Sequence, residues 1–184
     1  MAGMEVLKRL MPPPVEGGLS VDWARLAESW GKKGFPSDYV DFIQTYGGGV
    51  VHDFLAVNAP EPKGGDPVTD GMFHETLNAE ATWAESTYEW QKSAELANAT
   101  PELITWGVDA TADLLCWDAT DDDPESWPVI VWNRGDDLWR RYDCGMVEFL
   151  TRNLRADFDE CPLNGLFIWG VSPVEFKPER PRSR

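Results

Sequence analysis

Apolar residues recur at helical spacing in four parts of the chain. In the run DYVDFIQTY, large apolar residues fall at i, i+3, i+4 and i+7 from Tyr39 to Tyr46, which predicts a helix with one apolar face. Ser37 precedes the run as its expected N-cap. The same spacing predicts three further helices, over 19–34, 73–98 and 145–158. The predicted helix over 73–98 is unusually long and interrupts the pattern as an insertion.

Short apolar or alternating runs predict strands. VVHDFLAV reads as one strand after the second helix, and LITWGVD, DLLCWD, PVIVWN and DLWRRYD follow one another with polar turns between them. That spacing is typical of an antiparallel meander, and the tail adds a short edge strand. The order predicts an α+β fold: a mostly antiparallel sheet of about four to six strands, flanked by N-terminal helices, the long inserted helix and a C-terminal helix.

The same pattern predicts one domain over residues 20–178. Residues 1–19 are expected to be a flexible segment, because MPPPVEGG contains three prolines and two glycines. Residues 179–184 are expected to fray. No secretory signal or membrane-length apolar run is seen, and there is no disulfide framework among three cysteines, so a cytoplasmic location is predicted.

Charge changes this picture most. The chain has 32 acidic and 16 basic residues, a formal net charge of −16, and only Lys63 and Lys92 supply Lys or Arg between Gly34 and Asn133. Such a surface would repel nucleic acid and anionic membranes, and it would attract a basic protein. The alternative is that the acidity serves only solubility.

The three glycines Gly47–Gly49 are the first candidate for chemistry. A phosphate-binding loop places its glycines after a strand and before a helix, and it ends in Gly-Lys-Ser/Thr. Here a helix comes first and a strand follows, with Val50 and Val51 where the lysine would stand. The order therefore predicts a helix stop with positive φ, followed by a tight turn.

A cluster of carboxylates lies between the second and third strands of the meander. It comprises Asp118, Asp121, Asp122, Asp123 and Glu125, and Trp127 follows just before Pro128. The spacing fails the EF-hand pattern, so no metal is predicted. Two interpretations stay open: a solvated turn, or an exposed acidic loop that docks on basic side chains, with Trp127 as an exposed aromatic anchor.

Motifs for catalysis are not found. His52 and His74 lack metal-binding spacing, and Cys116 and Cys144 lie beside predicted strands, where cysteine is usually a small buried apolar residue. A Cys–His pair formed only in space stays open. We therefore predict neither enzyme activity nor a cofactor. The tryptophans of the predicted sheet suit a packed face, and the alternative is a ligand-binding stripe.

The block GFPSDYVDFIQTYGGGVV resembles the opening signature of the SUKH superfamily, the Smi/Knr-like immunity proteins. ITWGVDATADLLCW, WPVIVWNRGDDLWRRYDCGMVEFL and PVEFKP resemble the later strands and closing helix of that family, so the resemblance spans roughly residues 20–178. It implies an α+β domain without enzyme activity that binds and neutralises a bacterial toxin, often a nuclease. It does not locate the binding surface.

Two functions follow as hypotheses. The first is a cytosolic immunity protein whose acidic surface neutralises a cognate toxin, with a basic nuclease as the expected partner. The second is a regulatory or scaffolding domain that binds a host protein or a small ligand on the same fold. No oligomeric state is predicted.

Overall fold

The computed structural model describes residues 2–65 and 71–179 of the chain. The helices are α1 (Ala2–Leu10), α2 (Trp23–Ser29), α3 (Ser37–Tyr46), α4 (Met72–Glu85) and α5 (Met146–Leu154). The strands are β1 (Gly49–Val51), β2 (Leu55–Val57), β3 (Leu103–Asp109), β4 (Leu114–Asp118), β5 (Val129–Asn133), β6 (Leu138–Tyr142) and β7 (Phe176–Pro178). Short 3₁₀ turns lie at Glu89–Gln91, Ala94–Leu96 and Pro124–Ser126. Within the described ranges, no helix has the length and apolar character needed to cross a membrane.

The strands form one antiparallel sheet in the order β6-β5-β4-β3-β2-β1-β7. The predicted α+β class and the meander are confirmed, but the sheet has seven strands rather than four to six. The run VVHDFLAV is two strands, since Val51 pairs with Leu55 across a tight turn. His52 and Asp53 make that turn with φ of 50° and 53°, a conformation that their sequence does not signal.

Both faces of the sheet are buried, which is why its central strands are apolar at nearly every position. Ile104, Trp106 and Trp117 face a large core shared with α1, α3 and α5. Leu103 and Cys116 belong to a smaller core on the other face, which includes Ala79 of α4. The fold is therefore three layers: helices, sheet and one further helix.

The predicted flexible segment over 1–19 is wrong for its first half. Ala2–Leu10 is α1, whose Leu7 is fully buried, as is Met11 just after it. The Tyr46 hydroxyl donates to the Met11 carbonyl oxygen at 2.6 Å, so the segment is tied to α3. The proline-rich stretch that suggested flexibility begins only after α1. Of the tail predicted to fray, residues 179–184, the structure describes Glu179 alone, and its N–H donates to the Gly48 carbonyl oxygen at 2.8 Å. Residues 180–184 lie outside the described range.

The long helix predicted over 73–98 is also wrong in its second half, because α4 ends at Glu85. The following residues run along β6 at the edge of the sheet. Lys92 forms a parallel bridge with Trp139, and the Ser93 N–H donates to the Trp139 carbonyl at 2.9 Å. We call residues 87–97 the edge segment. Its bonds to β6 cover a strand edge that a continued helix would leave open.

The glycine turn has the structural role predicted for it. Gly47 adopts φ of 76° and donates its N–H to the Ile43 carbonyl at 2.9 Å, which ends α3. Gly49 then lies where β1 approaches β7 so closely that an added Cβ would be 2.2 Å from the Lys177 carbonyl oxygen. The glycines therefore turn the chain and admit β7 beside β1.

Replacing Gly49 by Ala should destabilise the protein by about 2 kcal/mol, because backbone atoms of β7 must move to admit the methyl group. Urea unfolding measures the loss. Gly34→Ala is the matched control: its Cβ would make an ordinary 3.7 Å contact, so a change below about 1 kcal/mol is expected. Equal stability of the two variants would contradict the close approach of β1 and β7.

Two buried aspartates fasten the loops at one end of the sheet. Asp113 accepts hydrogen bonds from the backbone N–H groups of Arg134 and Asn164, which joins three loops. Asp109 accepts from the N–H and hydroxyl of Thr111 at 2.9 and 2.7 Å. Burial raises the pKa of Asp109 to about 6 against those hydrogen bonds, and the neighbouring charge of Asp113 adds to the effect.

Because the pKa of Asp109 is higher in the folded than in the unfolded chain, its ionisation lowers stability as the pH rises from about 4 to about 6. Asp109→Asn keeps an oxygen acceptor without the charge. The variant should be close to the wild type in unfolding free energy near pH 4 and more stable by on the order of 1 kcal/mol near pH 7. Denaturant unfolding at both pH values tests this, and a gain confined to pH 4 would contradict it.

Candidate partner-binding site

The predicted acidic cluster is an ordered turn between β4 and β5. Asp118 accepts from the N–H groups of Glu102 and Thr120, at 3.2 and 3.1 Å, and from the Thr120 hydroxyl. The Asp123 N–H donates to Asp121 Oδ1 at 2.8 Å, and the Glu125 N–H donates to Asp123 Oδ1 at 3.0 Å. These local bonds fix the backbone of residues 118–126, which we call the acidic turn.

Trp127 is not the exposed anchor that the sequence suggested. It is 3% exposed, and its Nε1–H donates to the Asp121 carbonyl at 2.8 Å. Its ring packs 6.0 Å from Phe35 and 6.1 Å from Trp117, measured between ring centroids. Burial of the large indole next to Pro128 pulls the end of the turn onto the core, so Trp127 fixes the turn from beneath.

Two cluster carboxylates have partners across the fold. Glu125 accepts from the Ser37 N–H at 2.7 Å and from the Ser37 hydroxyl at 2.9 Å. The predicted N-cap role of Ser37 is therefore wrong: Ser37 is the first residue of α3, and Glu125 caps the helix from the acidic turn. Asp122 pairs with Lys33 at 2.7 Å, and this hydrogen bond lowers the pKa of Asp122.

A second long-range cap lies beside the first. Asp38, in the first turn of α3, accepts from the Val147 N–H at 3.1 Å at the start of α5. A Cβ at Gly145 would lie 2.5 Å from Asp38 Oδ2, so glycine leaves the space that this carboxylate occupies. Burial raises the pKa of Asp38, partly offset by the Val147 and Tyr39 N–H groups, and the charges of Glu125 and Asp41 raise it further.

The two caps border a cleft of about 300 Å³ between α1, α3, α5 and the acidic turn. Asp38, Asp41, Glu125 and Glu148 line it, and no basic side chain does so in the part of the chain that the structure describes. Sequence reasoning missed Asp38, Asp41 and Glu148 as site residues, because they lie on two helices over 100 positions apart. We call the acidic turn and this cleft together the acidic face.

Cysteine chemistry is disfavoured by burial. Cys116 and Cys144 are buried, and desolvation raises the pKa of each thiol to about 12. A nucleophilic cysteine needs the opposite shift, because the thiolate is the reactive form. Over residues 2–65 and 71–179, no group of three or more His, Cys, Asp or Glu side chains is arranged to hold a metal ion.

Three of the sheet tryptophans, Trp106, Trp117 and Trp139, are fully buried and form packed faces rather than a ligand-binding stripe. Trp132 is half-buried, and its Nε1–H donates to Asp137. Comparisons of the chain with protein-family models, with curated proteins and with solved structures find no match.

Glu125→Ala should lower the free energy of unfolding by about 1 kcal/mol, because the start of α3 then loses its cap. Glu125→Gln should lose less, since one side-chain oxygen can still accept from Ser37. Thermal and urea unfolding measure the difference. Asp122→Ala is the control, and no measurable change is expected because its pair with Lys33 lies on the surface. A larger loss for Asp122→Ala than for Glu125→Ala would contradict the capping role.

Proposed function

We propose that the protein is an immunity protein, which binds a basic protein partner through the acidic face and neutralises it as a cognate bacterial toxin. The observation that carries the proposal is the acidic turn beside a cleft. Four carboxylates line this cleft, and among the described residues no basic side chain lines it. A nuclease is the partner class that fits best, because enzymes acting on nucleic acid carry basic clefts.

Preorganisation supports this use of the acidic turn. Its backbone is held by local hydrogen bonds and by buried Trp127, so little conformational entropy is lost on binding. Asp121 and Asp123 are exposed, and their carboxylates accept hydrogen bonds from neighbouring N–H groups of the same turn. Such carboxylates can meet cationic side chains of a partner while the turn keeps its shape.

The acidic face would act in two ways. Its field, within a chain of net charge −16, accelerates the encounter with a basic partner. In the complex, Asp121 and Asp123 would occupy positions where the toxin holds substrate phosphates, and the cleft would accept a Lys or Arg side chain. Blocking the substrate cleft neutralises a nuclease without any chemistry by the inhibitor.

The resemblance to the SUKH superfamily supports the toxin as partner. The resemblance implies an α+β domain with a mostly antiparallel sheet flanked by helices, and the fold is of this class. It supports the biological role, whereas the choice of binding surface rests on the charge and geometry of the acidic face.

A regulatory or scaffolding domain is the second candidate, and the cleft is the observation that favours it. Its volume of about 300 Å³ is at the lower end for small-molecule sites, and its carboxylates would select a cationic ligand. Mass spectrometry of the native purified protein separates the two functions, since a bound cationic metabolite would favour the second.

The double variant Asp121→Asn, Asp123→Asn tests the proposed function. Asparagine keeps the oxygen acceptors that hold the turn but removes two charges. Against the toxin domain encoded beside its gene, the association rate should fall about tenfold near 50 mM salt, and the difference should shrink near 500 mM. Surface plasmon resonance gives both rates, and survival of cells that express the toxin gives the biological readout.

The matched control is Asp157→Asn, Asp159→Asn, which removes two exposed charges beyond the far end of α5. It should bind the toxin almost as the wild type does, so that position and not total charge explains the loss. If both double variants bind like the wild type, the acidic turn is not the interface. A neighbouring gene without toxin activity would remove the immunity role itself.

A further inference from the structure

The edge segment carries a pair of exposed, stacked aromatic rings. Tyr88 is 65% exposed and Trp90 is 60% exposed, and their rings lie 6.1 Å apart between centroids with an angle of 14° between planes. Single exposed apolar side chains are ordinary on protein surfaces, but a stacked pair of this size concentrates apolar area at one point. Tyrosine and tryptophan are also the residues that most often dominate binding energy at protein interfaces.

The backbone beneath the aromatic pair is held firmly. Gln91 is buried, and its side chain accepts from the Tyr88 N–H at 2.9 Å and donates to Asp137 Oδ2 at 2.7 Å. Asp137 Oδ1 in turn accepts from the Trp132 Nε1–H at 3.1 Å. One buried amide thus ties the aromatic pair to the β5–β6 turn, so the rings are presented on a fixed support.

Along the chain, the charged residues around the pair are mostly acidic. Glu85 and Glu89 flank it along the chain and are exposed, and so are Glu80 and Glu95 further away. Lys92 is the single Lys or Arg in residues 72–97, and its ammonium lies 4.4 Å from the centre of the Trp83 ring. Aromatic rings next to carboxylates suit a planar cation, which can stack its face on a ring and donate hydrogen bonds from its edge to a carboxylate.

We propose that Tyr88 and Trp90 form a docking surface for an arginine-bearing segment of a protein partner. The guanidinium plane stacks on an exposed ring face, while its edge N–H groups donate to the carboxylates of Glu85 or Glu89. Arginine fits better than lysine, because an ammonium group has no plane to stack and holds its water more strongly.

Charge favours an arginine-bearing protein over two other occupants of this surface, single-stranded nucleic acid and a second copy of this chain. Bases of single-stranded nucleic acid also stack on aromatic rings, but such sites rely on a cationic groove for the phosphates. Residues 85–97 have three glutamates against one lysine, so this stretch supplies no such cationic groove. A second copy of this chain would bring the same carboxylates together, which opposes self-association through the aromatic pair. The aromatic pair shares no residue with the acidic face, so this proposal does not depend on whether that face binds a toxin.

Titration of the full chain with a short oligo-arginine peptide tests the proposal, with an oligo-lysine peptide of equal length as the control. The Trp90 indole N–H resonance, assigned by its loss in Trp90→Phe, reports binding at this site. Near 150 mM salt the arginine peptide should shift this resonance at a concentration about fivefold lower than the lysine peptide does. In Trp90→Ala, arginine-peptide affinity read from the Glu89 amide should fall about fivefold.

Trp90→Phe should keep most of the affinity, since the ring face is retained. Phe167→Ala removes another exposed aromatic residue and should leave the titration unchanged. Equal shifts with both peptides, or unchanged arginine affinity in Trp90→Ala, would overturn the proposal. So would a Trp90 shift caused by a single-stranded oligonucleotide, or by raising the protein concentration alone. The variant Asp121→Asn, Asp123→Asn should still give the arginine response, which separates this result from failure of the proposed toxin binding.

Discussion

The half-buried carboxylate of Asp38 fixes the arrangement on which the acidic face depends. It lies in the first turn of α3 and accepts the Val147 N–H at the start of α5, so the starts of the two helices are held side by side. Glu125 does the same between the acidic turn and α3 through Ser37. Each carboxylate meets N–H groups that a helix start leaves unpaired, which gives the negative charge a favourable position. The chain of caps runs from the acidic turn to α3 and on to α5.

This arrangement divides the acidic residues by role. Asp118, Asp38 and Glu125 accept hydrogen bonds that hold the fold together, and Asp122 has a surface partner in Lys33. Among the described residues, the carboxylates of Asp121 and Asp123 accept hydrogen bonds only from N–H groups of their own turn. The sequence shows the carboxylates of the acidic turn as one cluster, because spacing records the carboxylates but not the N–H groups that approach them from other elements. The local excess of charge therefore overstates the number of carboxylates that are open to a partner.

The elements that the sequence predicted well are those whose pattern is local. The strands β3 to β6 are short apolar or alternating runs between polar turns, and α5 has a regular helical period of apolar residues. Gly47 directly follows a helical run and precedes a strand, which is the order of a helix stop. The errors have three different physical causes. The β1–β2 turn uses left-handed His52 and Asp53 without glycine, and α4 ends early because the next residues bond to β6. Trp127 turns inward because its ring packs against Phe35 and Trp117. The cleft could not be predicted from the sequence, since its lining comes from four separate elements.

The way the sheet ends has a consequence for how this molecule can evolve. The edge segment lies along β6, and at the other side β7 is only three residues long and ends in Pro178, which lacks an N–H. In the described part of the chain, neither margin offers a long row of free backbone groups for an incoming strand. Recognition must then be carried by side chains, and these can be exchanged one at a time without disturbing strand pairing. A lineage with this fold could change partners by point substitutions while its scaffold stays constant.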